Sequence, residues 1–320
     1  MKKTTKAWLI TAAVLVVSGC GLFAGVMSTL GWNFAKLSTV KYTTHTYAVD
    51  EPFDSLSLTT DTADIVLALS DDGKCRIECR EEENAGYTVT VDNNTLTVMV
   101  NNRKTWYDYT GIHFDSPKIT VYLPKTDYTA LFIRENTGNV EIPKEFTWTS
   151  ADISVSTGDV HFFSAVRETV GIKTSTGGIC VEDISAGALT LSVATGGVTV
   201  SDVTCEGEVT VGVSTGRAEL TNVACGSLVS TGTTGDITLE HVTAGGKLSV
   251  RRSTGHVGFS RCDAAELHIQ TSTGDVTGSL LTGKVFATET ATGSVEIPHT
   301  AEGGRCEIKT ATGNIRITIA

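Results

Sequence analysis

Ten Thr-Gly pairs recur through this 320-residue chain, ending at Gly138, Gly158, Gly177, Gly196, Gly216, Gly235, Gly255, Gly274, Gly293 and Gly313. Successive glycines are always 19 or 20 residues apart, and two positions after each stands Val, Ile or Ala. Four positions after the glycine another apolar residue follows in nine of the ten cases, Gly278 being the exception. A fixed period of this size marks a stacked-repeat fold, because one unit is too small to bury its own apolar face and needs its neighbours to cover it.

Inside a repeat the period is two, as in Leu189-Thr-Leu191-Ser-Val193 and then Val198-Thr-Val200. Such alternation describes a strand with one face buried, and no stretch of the repeats shows helical spacing. Each repeat therefore folds into short strands bent at Thr-Gly and again near Asp202-Val203. The expected class is all-β, a parallel β-solenoid of about ten coils, with like strands ~4.8 Å apart and a rod of roughly 45–50 Å. Seven positions before the glycines come Val170, Leu189, Val209, Leu228, Leu248, Leu267, Phe286 and Cys306, which form an inward ladder. By the same parity the Thr before each glycine points inward, to line a corner and bond backbone. Pairs such as Thr174/Thr176 and Thr271/Thr273 look like the Thr-x-Thr arrays of ice-binding solenoids. Parity turns them into the corner, so packing is the expectation.

Ahead of the regular coils the chain is still β. Leu56-Ser-Leu58 and Ala63-Asp64-Ile65-Val-Leu67 reproduce the repeat with Ala63 in the glycine slot. An excursion follows through Cys75 to Cys79, then Tyr87 to Val91 and Leu96 to Val100 around Asp92-Asn93-Asn94, which reads as an antiparallel hairpin. Ile119-Thr-Val121-Tyr-Leu123-Pro124 brings the chain back to the stack. This divides the chain into a membrane anchor (1–36), an irregular β segment capping the solenoid (37–124) and the Thr-Gly solenoid (125–320). The Ala-Asp-Ile signature at Ala63, Ile-Thr-Val-Tyr-Leu-Pro at Ile119 and Ser-Thr-Gly-Asp-Val at Ser156, behind an N-terminal apolar segment, resemble the bacterial domain of unknown function 4097 family. The resemblance covers roughly Phe53 to Ala320. It implies a β-helical surface protein of the kind named a putative adhesin, with some members linked to envelope stress, and it implies no catalytic residues.

Lys2, Lys3 and Lys6 precede an uncharged stretch from Trp8 to Trp32. That stretch is long enough to cross a ~30 Å hydrocarbon layer as a helix, and the leading lysines favour a cytoplasmic N-terminus. The same residues support a second reading. Val17-Ser18-Gly19-Cys20 is similar to a lipobox, with cleavage before Cys20 and lipidation of its thiol. Both readings place the rest of the chain outside the cell. The net charge is −11, and without the three N-terminal lysines the remainder carries −14. This acidic balance excludes a nucleic-acid binder of ordinary kind and gives no attraction to anionic lipid.

The chemistry-bearing residues are few. Cys75, Cys79, Cys180, Cys205, Cys225, Cys262 and Cys306 make an odd number outside the anchor, without a Cys-x-x-Cys pair for zinc. Cys205 and Cys225 fall at equivalent places in neighbouring coils, within reach of a disulfide, and free thiols are expected. Asp236, His256 and Asp275 follow three successive corner glycines. Stacked, they bring an imidazole between two carboxylates, an arrangement suited to a divalent cation or to proton transfer; the plain alternative is a surface ladder that avoids like charges. Trp106, Tyr107 and Tyr109 concentrate aromatic surface, suited to stacking on sugar rings or to covering the first coil. The chain runs out within Ile315-Arg-Ile317-Thr-Ile319, so this strand is expected as an open edge for self-association. No catalytic motif, metal site or cofactor fingerprint is present. The expectation is a non-enzymatic, single-pass, extracytoplasmic scaffold, adhesin-like or envelope-associated, whose partner is a surface glycan or a protein. The alternatives are an envelope-stress accessory protein acting through a membrane partner and a polysaccharide-active β-helix enzyme.

Overall fold

The computed structural model describes residues 3–33, 42–82, 85–102 and 117–320. One helix, Lys3–Thr29, is followed by strands that pair into a single 23-stranded sheet wound into a parallel β-solenoid. The helix segment Thr4–Thr29 is long and apolar enough to cross a membrane, its most apolar 18 residues having a mean hydropathy of 2.3 and none of them being buried.

Each coil turns at three places. The first is Thr-Gly, where all ten glycines take φ between 121° and 155°. At Gly158 an added Cβ would lie 1.9 Å from the carbonyl oxygen of Gly138, so both the backbone angle and the space exclude a side chain. The second is a left-handed residue six positions on, at Asp183, Asp202, Asn222, His241 and Arg261, with φ of 52–55°. The third is an irregularity in pairing, such as that between Cys205 and Glu208, where the strand is bulged and bends. Between the bends, strands pair in parallel and in register, Leu189 with Val209 and Val209 with Leu228, and these inward residues are fully buried.

The Thr of each Thr-Gly pair corrects the parity expectation. All ten are exposed. Pairing runs from Val155/Thr174 to Thr157/Thr176 and skips Ser156 and Ser175, so two successive residues face outward before the corner. The inward slot is instead three positions before the glycine. There Thr174 and Thr271 are buried and donate their hydroxyls to the carbonyls of Gly158 and Gly255, each at 3.2 Å.

Both ends of the rod depart from sequential stacking. At the N-terminal end, the coil Ser55–Leu69 is covered by two later strands, Thr95–Asn102 and Lys118–Leu123, both parallel to it. Antiparallel strands then close the end: Ala85–Asp92 pairs with Thr95–Asn102 in a hairpin turned at Asn93 and Asn94 (φ 48° and 61°). Cys75–Glu82 pairs with Lys118–Leu123, and Tyr42–Val49 with Cys75–Glu82. At the other end, Gly304–Thr312 pairs with Val257–Thr273 on one side and with Lys284–Thr292 on the other. Ile315–Ile319 is likewise held between Val276–Leu280 and Val295–Glu296. The expected open edge at Ile315–Ile319 is therefore corrected. The last strands are wedged inside the stack, and Lys284–Thr292 with Val295–Glu296 forms the outermost rung.

The side chains explain this order. In the slot held by Leu191, Val211, Val250 and Ile269, the wedged rung carries Ile308, fully buried, whereas the outer rung carries Thr288, half-buried. A rung covered on one side only leaves its inner row partly wet, so a hydroxyl costs little there and an isoleucine gains less. Lys284 secures the detour. Its ammonium reaches past the side-chain-free Gly304 to Asp263 Oδ1 at 2.6 Å, and it donates to the Ala264 carbonyl at 2.8 Å and Thr282 Oγ1 at 2.9 Å. Ile308→Thr is expected to lower unfolding free energy by about 1–3 kcal/mol, the range for leaving a polar group poorly matched in a core. Thr288→Val should change it by less than about 0.5 kcal/mol, as for a partly exposed site. Denaturant titration of both variants checks the order of the rungs.

Candidate functional site

The residue after each corner glycine is placed by the bend itself. At seven of the ten corners its backbone N–H donates to a side-chain acceptor one coil away. His256 N–H donates to Asp236 Oδ1 at 2.8 Å, Asp275 N–H to His256 Nδ1 at 3.0 Å, and Asn314 N–H to Asp275 Oδ1 at 2.7 Å. Ser294 N–H continues the row to Asn314 Oδ1 at 2.9 Å. A second run lies nearer the N-terminal end, with Asn139 N–H on Asp64, Asp159 N–H on Asn139 and Gly178 N–H on Asp159. Asp236, His256 and Asp275 are thus brought together in one column, and one acceptor atom of each is engaged with backbone. The bond to Nδ1 requires the His256 tautomer that carries its proton on Nε2. The second carboxylate oxygen of Asp275 lies 3.7 Å from His256 Nδ1. Among the described residues no group of three or more His, Cys, Asp or Glu is arranged to hold a metal ion. What this column does chemically is to replace the hydrogen bonds that a sharp corner would leave unmade.

Beside the column runs the row of exposed Thr hydroxyls, with Ser156, Ser175, Ser214, Ser253 and Ser272 exposed at the preceding position. One edge of the rod is thereby a strip of small hydroxyls at strand spacing. Trp106, Tyr107 and Tyr109 lie outside the described residues. Cys20 is exposed on the helix. Cys205 and Cys225 are register partners in neighbouring coils, and all eight cysteines are free thiols. Burial pushes the thiols of Cys75, Cys79 and Cys306 up to about 12 and that of Cys225 to about 11, which keeps them protonated and unreactive.

One titratable group stands out that the repeat pattern did not flag. Glu135 occupies the inward slot three positions before Gly138 and is 3% exposed. Its Oε1 accepts the N–H of Thr137 at 3.0 Å, while Oε2 and the neighbouring Thr60 hydroxyl are buried without a hydrogen-bond partner. Thr60 and Glu135 are register partners on adjacent coils. Burial pushes the carboxyl up to about 8, with Asp61 adding to the rise and backbone N–H groups opposing it. The slot arithmetic that places Thr174 and Arg252 inward places Glu135 there too, so the signal was available in the spacing.

The sequence pattern of one family matches residues 53–212 and again 206–320, together most of the chain; its description is Toastrack DUF4097. The chain belongs to this family. Solved structures that resemble it include a putative adhesin from Bacteroides fragilis, 15% identical, covering 87% of this chain and 97% of that one with a TM-score of 0.42. A putative adhesin from Parabacteroides merdae is 14% identical over 76% of this chain and 97% of that one, TM-score 0.49. A putative lipid binding protein from Parabacteroides distasonis is 16% identical over 73% and 94%, TM-score 0.47. No curated protein matches the chain.

The Toastrack corner gives Glu135 a definite pH signature. Its pKa in the folded chain, about 8, lies above the ordinary 4.5, so below pH 4.5 both folded and unfolded forms hold the proton. As pH rises from there the unfolded form ionises first, and stability falls until the folded group also ionises near pH 8. Glu135→Gln removes this loss. Thermal midpoints measured from about pH 5 to pH 8 should fall less steeply for the variant than for the wild type.

Proposed function

We propose that this Toastrack chain is a membrane-anchored, extracytoplasmic scaffold that binds through its outer faces and catalyses no reaction, in an adhesin-like or envelope-associated role. The observation that carries the reading is the edge of ten exposed, in-register Thr residues. Such a strip repeats one chemical group at a constant step and suits an extended, repetitive partner better than a small substrate. Two further features support it. The column of Asp236, His256 and Asp275 uses its acceptors on backbone N–H groups, which serves the fold. The most apolar 18 residues of Thr4–Thr29 are unburied, as an element made for another medium would be. The helix also continues nine residues beyond Cys20 to Thr29, which favours a spanning segment over a lipid anchor.

Membrane-impermeant maleimide labelling of intact cells tests this reading. A Thr234→Cys variant on the exposed edge should label from outside, while the wild type, whose cysteines beyond the helix are buried or half-buried, should label weakly. Labelling of Thr234→Cys only after lysis would overturn the reading. Cys20→Ala should leave the protein in the membrane fraction; its release would establish the lipid anchor instead.

A further inference from the structure

A small cavity of ≈ 220 Å³ opens on the outer face of the rod over three adjoining strands, Ile237–Thr254, Val257–Thr273 and Gly304–Thr312. Its lining includes Lys247, Ser249, Arg251, Gln270, Glu307 and Lys309. Lys247, Ser249 and Arg251 alternate along one strand and face outward together. Arg251 has neutral neighbours on both sides, Thr231 and Gln270.

The charges around this cavity do not cancel pairwise. Glu307 is held by Arg305 at 2.9 Å and Lys309 at 3.0 Å, with His268 Nδ1 at 3.6 Å, so its charge is fully engaged. Glu266, the register partner of Lys247, pairs with His268 Nε2 at 3.6 Å. Among the described residues, neither Lys247 nor Arg251 has a carboxylate in ion-pair contact. Elsewhere on the solenoid Arg134, Arg217 and Arg316 each bond a carboxylate at 2.8–3.2 Å, and Arg167 bonds Asp127.

Arg252 adds an independent observation. It sits on the opposite face of the same strand, 2% exposed, in a slot cleared by Gly232, where an added Cβ would meet its guanidinium at 1.7 Å. Arg252 donates to the Val213 carbonyl at 3.3 Å and to Ser230 Oγ at 3.2 Å, and its Nε has no partner. Burial works against the charge of this guanidinium and Asp236 offsets that only in part, so the buried charge is costly. An anion seated over Arg251 would lie one strand thickness away and reduce that cost through a medium of low dielectric.

We propose that this cavity binds a phosphate group carried by an extended polyphosphate-like polymer. Its donors are a guanidinium fork, an ammonium, a hydroxyl and a side-chain amide, which together match an acceptor-only oxyanion, and a guanidinium binds phosphate oxygens in pairs. The inference rests on reading the rod as an outward-facing scaffold.

The test uses the full chain in neutral detergent and fluorescent inorganic polyphosphate, followed by anisotropy at low and physiological salt. Wild type should bind, more weakly at higher salt. The Lys247→Ala/Arg251→Ala double variant should lose at least about tenfold in affinity, a difference of about 1.4 kcal/mol. Lys173→Ala, another outward lysine on the same side of the rod, should stay within about twofold, and Arg251→Lys should fall between. Equal loss in Lys173→Ala, or no binding by wild type, overturns the proposal. So does competition by a soluble short-chain phosphatidylglycerol at concentrations where inorganic phosphate fails to compete. Each of these results leaves the scaffold reading to the surface-labelling experiment, which depends on no ligand.

Discussion

The whole architecture depends on a hydrogen bond that no side chain makes. The N–H of every corner glycine except Gly293, in the outermost rung, donates to the carbonyl of the Thr in the adjoining coil, as from Gly138 to Thr157, Gly158 to Thr176 and Gly216 to Thr234, each at 2.9 Å. A strand bend normally interrupts a ladder, leaving polar backbone groups without partners. Here the bend is made by a residue without a Cβ, so the rungs approach closely enough for pairing to pass through the corner. The acceptors of Asp64, Asn139, Asp159, Asp236, His256, Asp275 and Asn314 complete the job one residue further on.

This dependence separates two kinds of repetition in the chain. The glycine and the inward aliphatics are fixed by geometry, since each faces its own copy in the neighbouring coils. Outside the Thr strip the outward positions are free to differ, and they do. Glu307, Lys309 and Arg305 form a charged knot, whereas Gly171, Thr190 and Gly212 leave the equivalent face bare. A scaffold of this form can carry local recognition chemistry at one height of the rod without disturbing the rest.

The period, the strand alternation and the corner glycines were legible because each is a local constraint repeated ten times. What the sequence hid was set by exceptions to the alternation. The residue skipped at Ser156 and Ser175 turned the Thr row outward, although simple parity placed it inside. The order of the last rungs was hidden because pairing between Leu267 and Cys306 skips a whole coil, and sequence neighbours normally stack in turn. Thr288 carried the missing clue, a hydroxyl in a slot where the other coils, Ser230 excepted, have an aliphatic side chain. Glu135 and Arg252 occupy a slot that the spacing defines, but the orphaned Oε2 of one and Nε of the other show only against the neighbouring coils. Trp106, Tyr107 and Tyr109 fall outside the described residues.

The wedged rung has a consequence for how the molecule is made. A solenoid stacked in order can extend coil by coil behind the ribosome, each new turn settling on the one before. Here the segment Lys284–Glu296 leaves the ribosome before Gly304–Ile319, yet its seat is on the far side of that later segment. It must wait undocked, or sit first on Val257–Leu280 and be displaced. By either route this end is completed out of chain order instead of by one more turn of growth.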